Sequence, residues 1–153
     1  MRDKPSMLLS SEESAFWRDS YIETFVDASS EYYRKNIANP REFSDGAHYV
    51  GYLWDCLRSP SRISDQRFGL ELVRHPEVFV LADDHSRDRI RGAPPWPYRA
   101  LSVLRIQPYE LLKSLDSFPE DIYAFDPSLS WTLVRTHEHD DKRRLCLGIG
   151  IEK

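Results

Sequence analysis

The order of the hydrophobic patterns is the feature of this sequence that most constrains its fold. In the first half of the chain, apolar residues recur every three or four positions, which predicts amphipathic helices. After Pro76 they form compact or alternating runs, which predict β-strands. Helices gathered first and strands gathered later, without regular alternation, predict a single α+β domain over residues 1–153. We expect N-terminal helices packed on a mostly antiparallel C-terminal sheet, in two layers.

Three helices are predicted from their caps and their spacing. The first follows Ser10, which with Glu13 makes the pattern of a capping box. A second is expected after a polar loop, and Ser64 begins a third that stops at Pro76. Residues 1–9 precede the first cap and are expected to form a flexible N-terminus. The apolar spacing is set by Trp17, Tyr21, Phe25, Ala28 and Tyr32 in the first helix and by Ala47, Val50, Trp54 and Leu57 in the second.

The second half of the chain contains apolar runs typical of strands. A polar, proline-rich loop over residues 83–98 joins the first two runs, and Pro108 introduces a short helix that ends near Phe118. The polar connection that follows His137 predicts an antiparallel hairpin at the C-terminus. The predicted strands cover residues 78–81, 101–106, 122–125, 131–137 and 145–151.

Charge and location limit the classes of partner. Twenty-one Lys and Arg against twenty-five Asp and Glu give a net charge of −4, which suits a basic partner better than a nucleic acid. No apolar run approaches the roughly 18 residues that cross a bilayer, and no secretory signal is recognised. We therefore predict a cytoplasmic protein with no membrane partner. Cys56 and Cys146 lie among apolar neighbours and are expected to be reduced, although sequence leaves their pairing open.

Several short motifs in the C-terminal part resemble a known pattern. They are Asp121-Ile122-Tyr123, Phe125-Asp126, Leu129-Ser130-Trp131-Thr132 and Thr136-His137-Glu138. Together they resemble the C-terminal signature of a bacterial domain family of unknown function, and the upstream Tyr52-Leu53-Trp54 fits the same arrangement. The resemblance implies a fold and a bacterial origin, with no reaction or cofactor. In general character the chain is also similar to immunity proteins of bacterial toxin systems.

A run of histidines and carboxylates near the C-terminus invites a metal hypothesis. His137-Glu138-His139-Asp140-Asp141 could supply ligands for zinc or another divalent ion, but the helical HExxH pattern is absent. A hydrated hairpin turn is favoured, and no cofactor is expected. A metal-assisted hydrolase that uses His137, Glu138 and His139 remains one alternative function.

The loop between the first two strands is locally basic. Its cations and Trp96 have the composition that grips phosphates and stacks on bases. Nearby aspartates offset the charge, so a solvated loop or a protein-docking element is favoured. A nucleic-acid-binding module that uses the Arg87–Arg99 loop remains the second alternative. The basic residues of that loop are Arg87, Arg89, Arg91 and Arg99.

The acidic residues at predicted strand ends and turns support the leading hypothesis. Gathered on one rim, they would steer and hold a basic protein. No GxSxG elbow, Gly-rich phosphate loop or Cys/His nucleophile pattern occurs, so no catalytic residue is assigned and the chain is expected not to be an enzyme. We predict an immunity protein that binds and neutralises a cognate bacterial toxin. The predicted partner-binding residues are Asp83, Asp84, Asp126, Glu138, Asp140, Asp141 and Trp96.

Overall fold

A computed structural model describes residues 7–37, 41–42, 48–49, 52–82, 102–140 and 143–151. In these ranges the helices are α1 (Ser11–Phe25), α2 (Glu31–Asn36), α3 (Asp65–Leu72) and α4 (Pro108–Lys113). Two short 3-10 segments cover Leu53–Cys56 and Leu115–Ser117. The strands are β1 (Met7–Leu8), β2 (Arg41–Glu42), β3 (His48–Tyr49), β4 (Ser61–Ile63), β5 (Val78–Ala82), β6 (Leu104–Ile106), β7 (Ile122–Phe125), β8 (Thr132–Asp140) and β9 (Arg143–Ile149).

Seven of the described strands form one antiparallel sheet in the order β1-β6-β5-β7-β8-β9-β4. β7 lies at its centre, where Phe125 pairs with Phe79 of β5 and with Thr132 of β8. β2 and β3 form a separate antiparallel pair. The predicted α+β domain with N-terminal helices and an antiparallel C-terminal sheet is confirmed.

Helices cover both faces of the sheet. Because successive side chains of a strand point to opposite faces, Tyr123 and Phe125 join the core that contains Tyr21 of α1. Ile122 and Ala124 point the other way, into a second core cluster. That cluster also contains Phe68 and Leu72 of α3 and Leu111 of α4. The structure thus has three layers, with helices on each side of the sheet, whereas the sequence predicts two layers.

The predicted helix starts are confirmed by their hydrogen bonds. The Ser10 hydroxyl accepts from the Glu13 amide at 3.1 Å and donates to the Glu13 carboxylate at 3.0 Å. The Ser64 hydroxyl accepts from the Arg67 amide at 3.0 Å at the start of α3. A side-chain cap of this kind stabilises a helix by about 1 kcal/mol.

The predicted second helix is wrong. Where the structure describes them, its residues form β3 and the 3-10 segment Leu53–Cys56, after which Leu57 pairs with Val26 beyond the end of α1; Ala47 and Val50 lie outside the described residues. The Asp27 amide donates to the Cys56 carbonyl at 2.7 Å, so backbone pairing with the preceding segment replaces helical hydrogen bonds here. Tertiary contacts override a local spacing that also fits a 3-10 turn.

The end of the predicted flexible N-terminus, residues 1–9, is ordered. The prediction needs correction there, because Met7–Leu8 pairs with β6 and Leu9 is buried. No helix in the described ranges is both long and apolar enough to cross a membrane.

Cys56 and Cys146 are free and buried in the core clusters on opposite faces of the sheet, so they do not pair. Burial raises the pKa of the Cys146 thiol to about 12, which makes it a poor nucleophile.

Candidate functional site

Asp121 is the centre of the candidate site. It immediately precedes β7 and is fully buried. Its Oδ1 accepts hydrogen bonds from the His137 amide at 2.9 Å and from the Trp54 indole at 3.0 Å. His137 Nδ1 lies 2.9 and 3.0 Å from the two carboxylate oxygens. These donors make burial of the carboxylate tolerable, and they tie the 3-10 segment to β8.

His137 lies between two carboxylates. Its Nδ1 faces Asp121, and its Nε2 lies 3.3 Å from Glu138 Oε1. The ring packs against Tyr52 and Trp54, with ring centres 4.8 and 6.0 Å away. The β8–β9 register shifts between Arg135 and His139, and such an irregularity can redirect a side chain from its place in the strand alternation.

A third carboxylate, that of Asp55, belongs to the same site. Asp55 keeps an exposed surface, yet the atoms packed around it exclude part of its water, and this desolvation raises the pKa of its carboxyl. The Tyr32 hydroxyl and His137 oppose the rise, whereas Glu138 and Asp121 add to it. We name this group the acidic–aromatic cluster; it consists of Tyr52, Trp54, Asp55, Asp121, His137 and Glu138.

The cluster supports two kinds of chemistry. Its carboxylates can attract a cationic group, because Glu138 is 53% exposed at its surface. Alternatively, a carboxylate can orient an imidazole through Nδ1 so that Nε2 acts as a general acid or base, and here Nε2 faces the exposed Glu138 carboxylate at 3.3 Å. The His137 side chain is 17% exposed, so that nitrogen lies close to the surface.

The predicted metal ligands do not come together in the described part of the chain. His139 is turned so that its Nδ1 lies 3.0 Å from the His137 carbonyl oxygen. No group of three His, Cys, Asp or Glu side chains in the described ranges is arranged to hold a metal ion. His137 and Glu138 do lie next to each other, but their side chains contact one another and do not point to a shared metal position.

The predicted partner-binding residues are divided between two ends of the sheet. Asp126 follows β7 at one end, while Glu138 lies near the other end of β8, beside Asp121. For Asp140 the structure describes the backbone, which pairs with Arg143. Asp83, Asp84, Trp96 and Asp141 lie outside the described residues, as does the Arg87–Arg99 loop.

A second polar site lies at the Asp126 end of β7. His75 stacks on Trp131 with ring centres 3.9 Å apart and an angle of 11° between the planes, and its Nδ1 is 4.0 Å from Asp126 Oδ2. Partial burial raises the pKa of the Asp126 carboxyl, but the hydroxyl and amide of Ser128, the Trp131 indole and His75 outweigh it, and the net shift is downward. This site borders a cavity of about 300 Å³.

Sequence reasoning missed most of these partners. Asp121 stands in the quoted Asp-Ile-Tyr motif, and a carboxylate that directly precedes a buried strand was a usable signal. The position of Asp55 between Trp54 and Cys56 was a weaker signal of a site residue. The contact of His75 with Trp131 joins residues 56 positions apart (131 − 75), and nothing in the spacing indicates it.

No family model matches this chain, and no similar curated protein or solved structure was found. The resemblance to a bacterial domain family of unknown function therefore stays a prediction. What the fold and the cluster define is an α+β protein with two exposed carboxylates, those of Asp55 and Glu138, beside partly or fully buried aromatic rings at one end of its sheet.

Proposed function

We propose that this chain is a protein-binding module of the immunity type, which neutralises a cognate bacterial toxin by covering a basic face of it. The observation that supports the proposal is the gathering of Asp55, Asp121 and Glu138 around one imidazole. Carboxylates gathered in this way attract Lys and Arg side chains, speed association and suppress wrong partners. Neither a cofactor nor a reaction is required.

The exposure of the cluster residues is graded in a way that suits recognition. Glu138 and Asp55 are exposed and would meet a partner first, whereas Asp121 is fully buried and holds the site in shape. Tyr52 and Trp54 stack with ring centres 5.5 Å apart, close to His137. Tyr52 is buried, so the half-buried Trp54 is the member of this pair that offers aromatic surface to a partner, and Trp is among the residue types that contribute most to binding energy.

Two further strands of the sheet end on the side of the cluster. Ala82, the last residue of β5, pairs with Ile122, the neighbour of Asp121. β8 ends at Asp140, two residues beyond Glu138.

A toxin encoded beside this chain provides the test. Co-expression should protect cells from it, and calorimetry of the purified pair should show binding that weakens as salt rises. Glu138→Gln and Asp55→Asn should each weaken binding about tenfold, with a smaller salt dependence. Glu110→Gln, which removes a charge from α4, is the matched control and should leave binding unchanged.

Asp126→Asn decides which end of the sheet binds. We expect it to have little effect, since Asp126 lies at the far end of β7 from the cluster. Failure of the toxin to bind, or equal losses in the Glu138, Asp55 and Glu110 variants, would contradict the proposal.

The contact between Asp121 and His137 favours a second candidate function, acid–base hydrolysis. Asp121 would orient His137, whose Nε2 would take a proton from water as the water attacks an ester or amide carbon, and would return that proton to the leaving group. Turnover of a model ester that is abolished by His137→Gln and retained by His75→Gln would establish this activity. Absence of turnover, or turnover that survives His137→Gln, would exclude it.

A further inference from the structure

The cavity beside His75 is formed by three separated parts of the chain. They are the C-terminal end of α3 with the two residues beyond its cap, the residue before β8, and the residues after β9. Its volume of about 300 Å³ is at the small end of the range for ligand pockets. The lining residues are Glu71, Arg74, His75, Trp131, Gly150 and Ile151.

The walls of the cavity are fixed by the backbone. Gly150 has φ +73°, and a Cβ at this position would collide with the Ser130 carbonyl oxygen, so only glycine fits. Leu129 has φ +52°, which is uncommon for a residue with a side chain. The Asp126 carboxylate holds this turn by accepting from the Ser128 amide at 2.9 Å. The part of the wall formed by Gly150 and Trp131 is therefore set by the backbone before a ligand arrives, which lowers the cost of binding.

The charged groups at the cavity favour an anionic ligand. Glu71 is paired with both Arg67, at 3.6 Å, and Arg74, at 3.2 Å, so its charge is already compensated. In the described part of the chain Arg74 contacts Glu71 through one nitrogen, and its side chain is 58% exposed. A guanidinium has five N–H donors, and its planar fork matches a carboxylate. Arg74 therefore has donors to spare at the edge of the cavity.

The remaining lining favours a flat ring. His75 lies parallel to Trp131 with 3.9 Å between ring centres, and its side chain is 27% exposed at the cavity. Both rings line the cavity, so an aromatic ligand has two aromatic side chains to pack against. Ile151, which also lines the cavity, supplies an apolar contact.

We propose that this cavity binds a small aromatic carboxylate, with the carboxylate on Arg74 and the ring against His75. The site goes beyond the proposed function, because it lies at the other end of β7 from the acidic–aromatic cluster and shares none of its residues. Toxin binding and carboxylate binding can therefore fail independently.

Benzoate is the probe for the experiment. We expect saturable shifts of the Trp131 indole and Gly150 amide signals in ¹⁵N-labelled protein, with a Kd on the order of 1 mM for so small a ligand. Benzamide, which keeps the ring and lacks the charge, should bind about tenfold more weakly. His75→Ala should reduce the preference for benzoate over acetate, because acetate has no ring to stack.

Arg74→Gln and Arg67→Gln form the matched pair of variants. Each removes one cation from Glu71, but only Arg74 lines the cavity. Arg74→Gln should weaken benzoate about tenfold, whereas Arg67→Gln should leave the Kd unchanged. No saturable shift up to concentrations on the order of 10 mM, equal binding of benzamide, or equal losses in the two variants would overturn the proposal.

Discussion

A histidine and an aspartate meet at each end of β7, and the two pairs differ in almost every physical respect. Asp121 is fully buried and lies 2.9 Å from His137 Nδ1, whereas Asp126 is partly exposed and lies 4.0 Å from His75 Nδ1. Asp121 receives donors from two distant segments, while Asp126 mainly orders its own turn through Ser128. The same two residue types thus make a buried junction at one end and, at the other, an imidazole that is held mainly by stacking on Trp131.

The charges around the two pairs differ as well. Around His137 the nearby charged groups are mostly carboxylates, and the pKa of Asp55 rises, first through desolvation and then through Glu138 and Asp121. Beside His75, the anions Glu71 and Asp126 are matched by the cations Arg67 and Arg74, and Arg74 keeps an exposed guanidinium at the cavity edge. The difference explains why we assign a cationic partner to one end and an anionic ligand to the other.

The largest effect is expected from removing the buried carboxylate. Asp121→Ala leaves the Trp54 indole, the His137 amide and His137 Nδ1 without their acceptor, so the free energy of unfolding should fall by about 3 to 4 kcal/mol. Asp126→Ala loses a turn contact in a more exposed place and should cost about 1 kcal/mol. Urea denaturation of both variants measures the contrast, and similar losses would abolish the distinction drawn between the two ends.

A glycine substitution tests the rigidity of the His75 end. Gly150→Ala forces a side chain into a positive φ and against the Ser130 carbonyl, so we expect a loss of about 2 to 3 kcal/mol. Gly69→Ala is the control on α3, where the new Cβ would sit 3.8 Å from Leu112 in ordinary contact. It should raise stability by about 0.5 to 1 kcal/mol. Thermal unfolding should therefore move in opposite directions in the two variants.

Trp54→Phe removes one donor from Asp121 and keeps most of the ring. We expect a loss of about 1 to 2 kcal/mol, because the bond from the indole to Asp121 is the only contact deleted by design. In the Asp121→Ala background the same substitution should cost clearly less, since the acceptor is already gone. Additive losses in this double-mutant cycle would show that the indole stabilises the fold through packing alone.

The sequence was a good guide wherever local chemistry decides the structure. Ser10 and Ser64 mark the starts of α1 and α3, and Pro108 marks that of α4, because capping and proline geometry act within one turn. The apolar runs at 78–81 and 122–125 became β5 and β7 because a strand buried on both faces needs such a run.

Long-range pairing is what the sequence could not reveal. Trp54 and Leu57 have helical spacing, but the chain forms a 3-10 turn there and Leu57 then pairs with Val26. This structure depends on a contact with a residue about thirty positions away. Of the site, His137 and Glu138 were recognised as a polar pair and Asp121 as part of a motif, but the contact between Asp121 and His137 and the place of Asp55 were identified only by the fold. The sequence did not predict β4, because three residues are too few to show an alternation of apolar and polar side chains.

The smallest effect concerns pH, and it should have opposite signs at the two ends. The pKa of Asp126 lies below its ordinary value of 3.8 in the folded protein, although desolvation opposes the fall. The folded state therefore binds fewer protons at this carboxyl than the unfolded state, and Asp126 contributes stability above pH 3.8 that is lost as the pH falls through its lower folded value.

Asp55 has the reverse sign, because its folded pKa lies above 3.8, chiefly through desolvation. Its ionisation reduces stability as the pH rises from 3.8 through the higher folded value, and Asp55→Asn should remove that decline. Asp126→Asn should instead remove a gain, so the differences from wild type change with pH in opposite directions. Both should stay under about 1 kcal/mol, since solvent screens the exposed carboxylates. Urea titrations at a series of pH values from 3 to 6 measure both curves; slopes of the same sign would mean that the pKa of Asp55 is not raised in the folded protein.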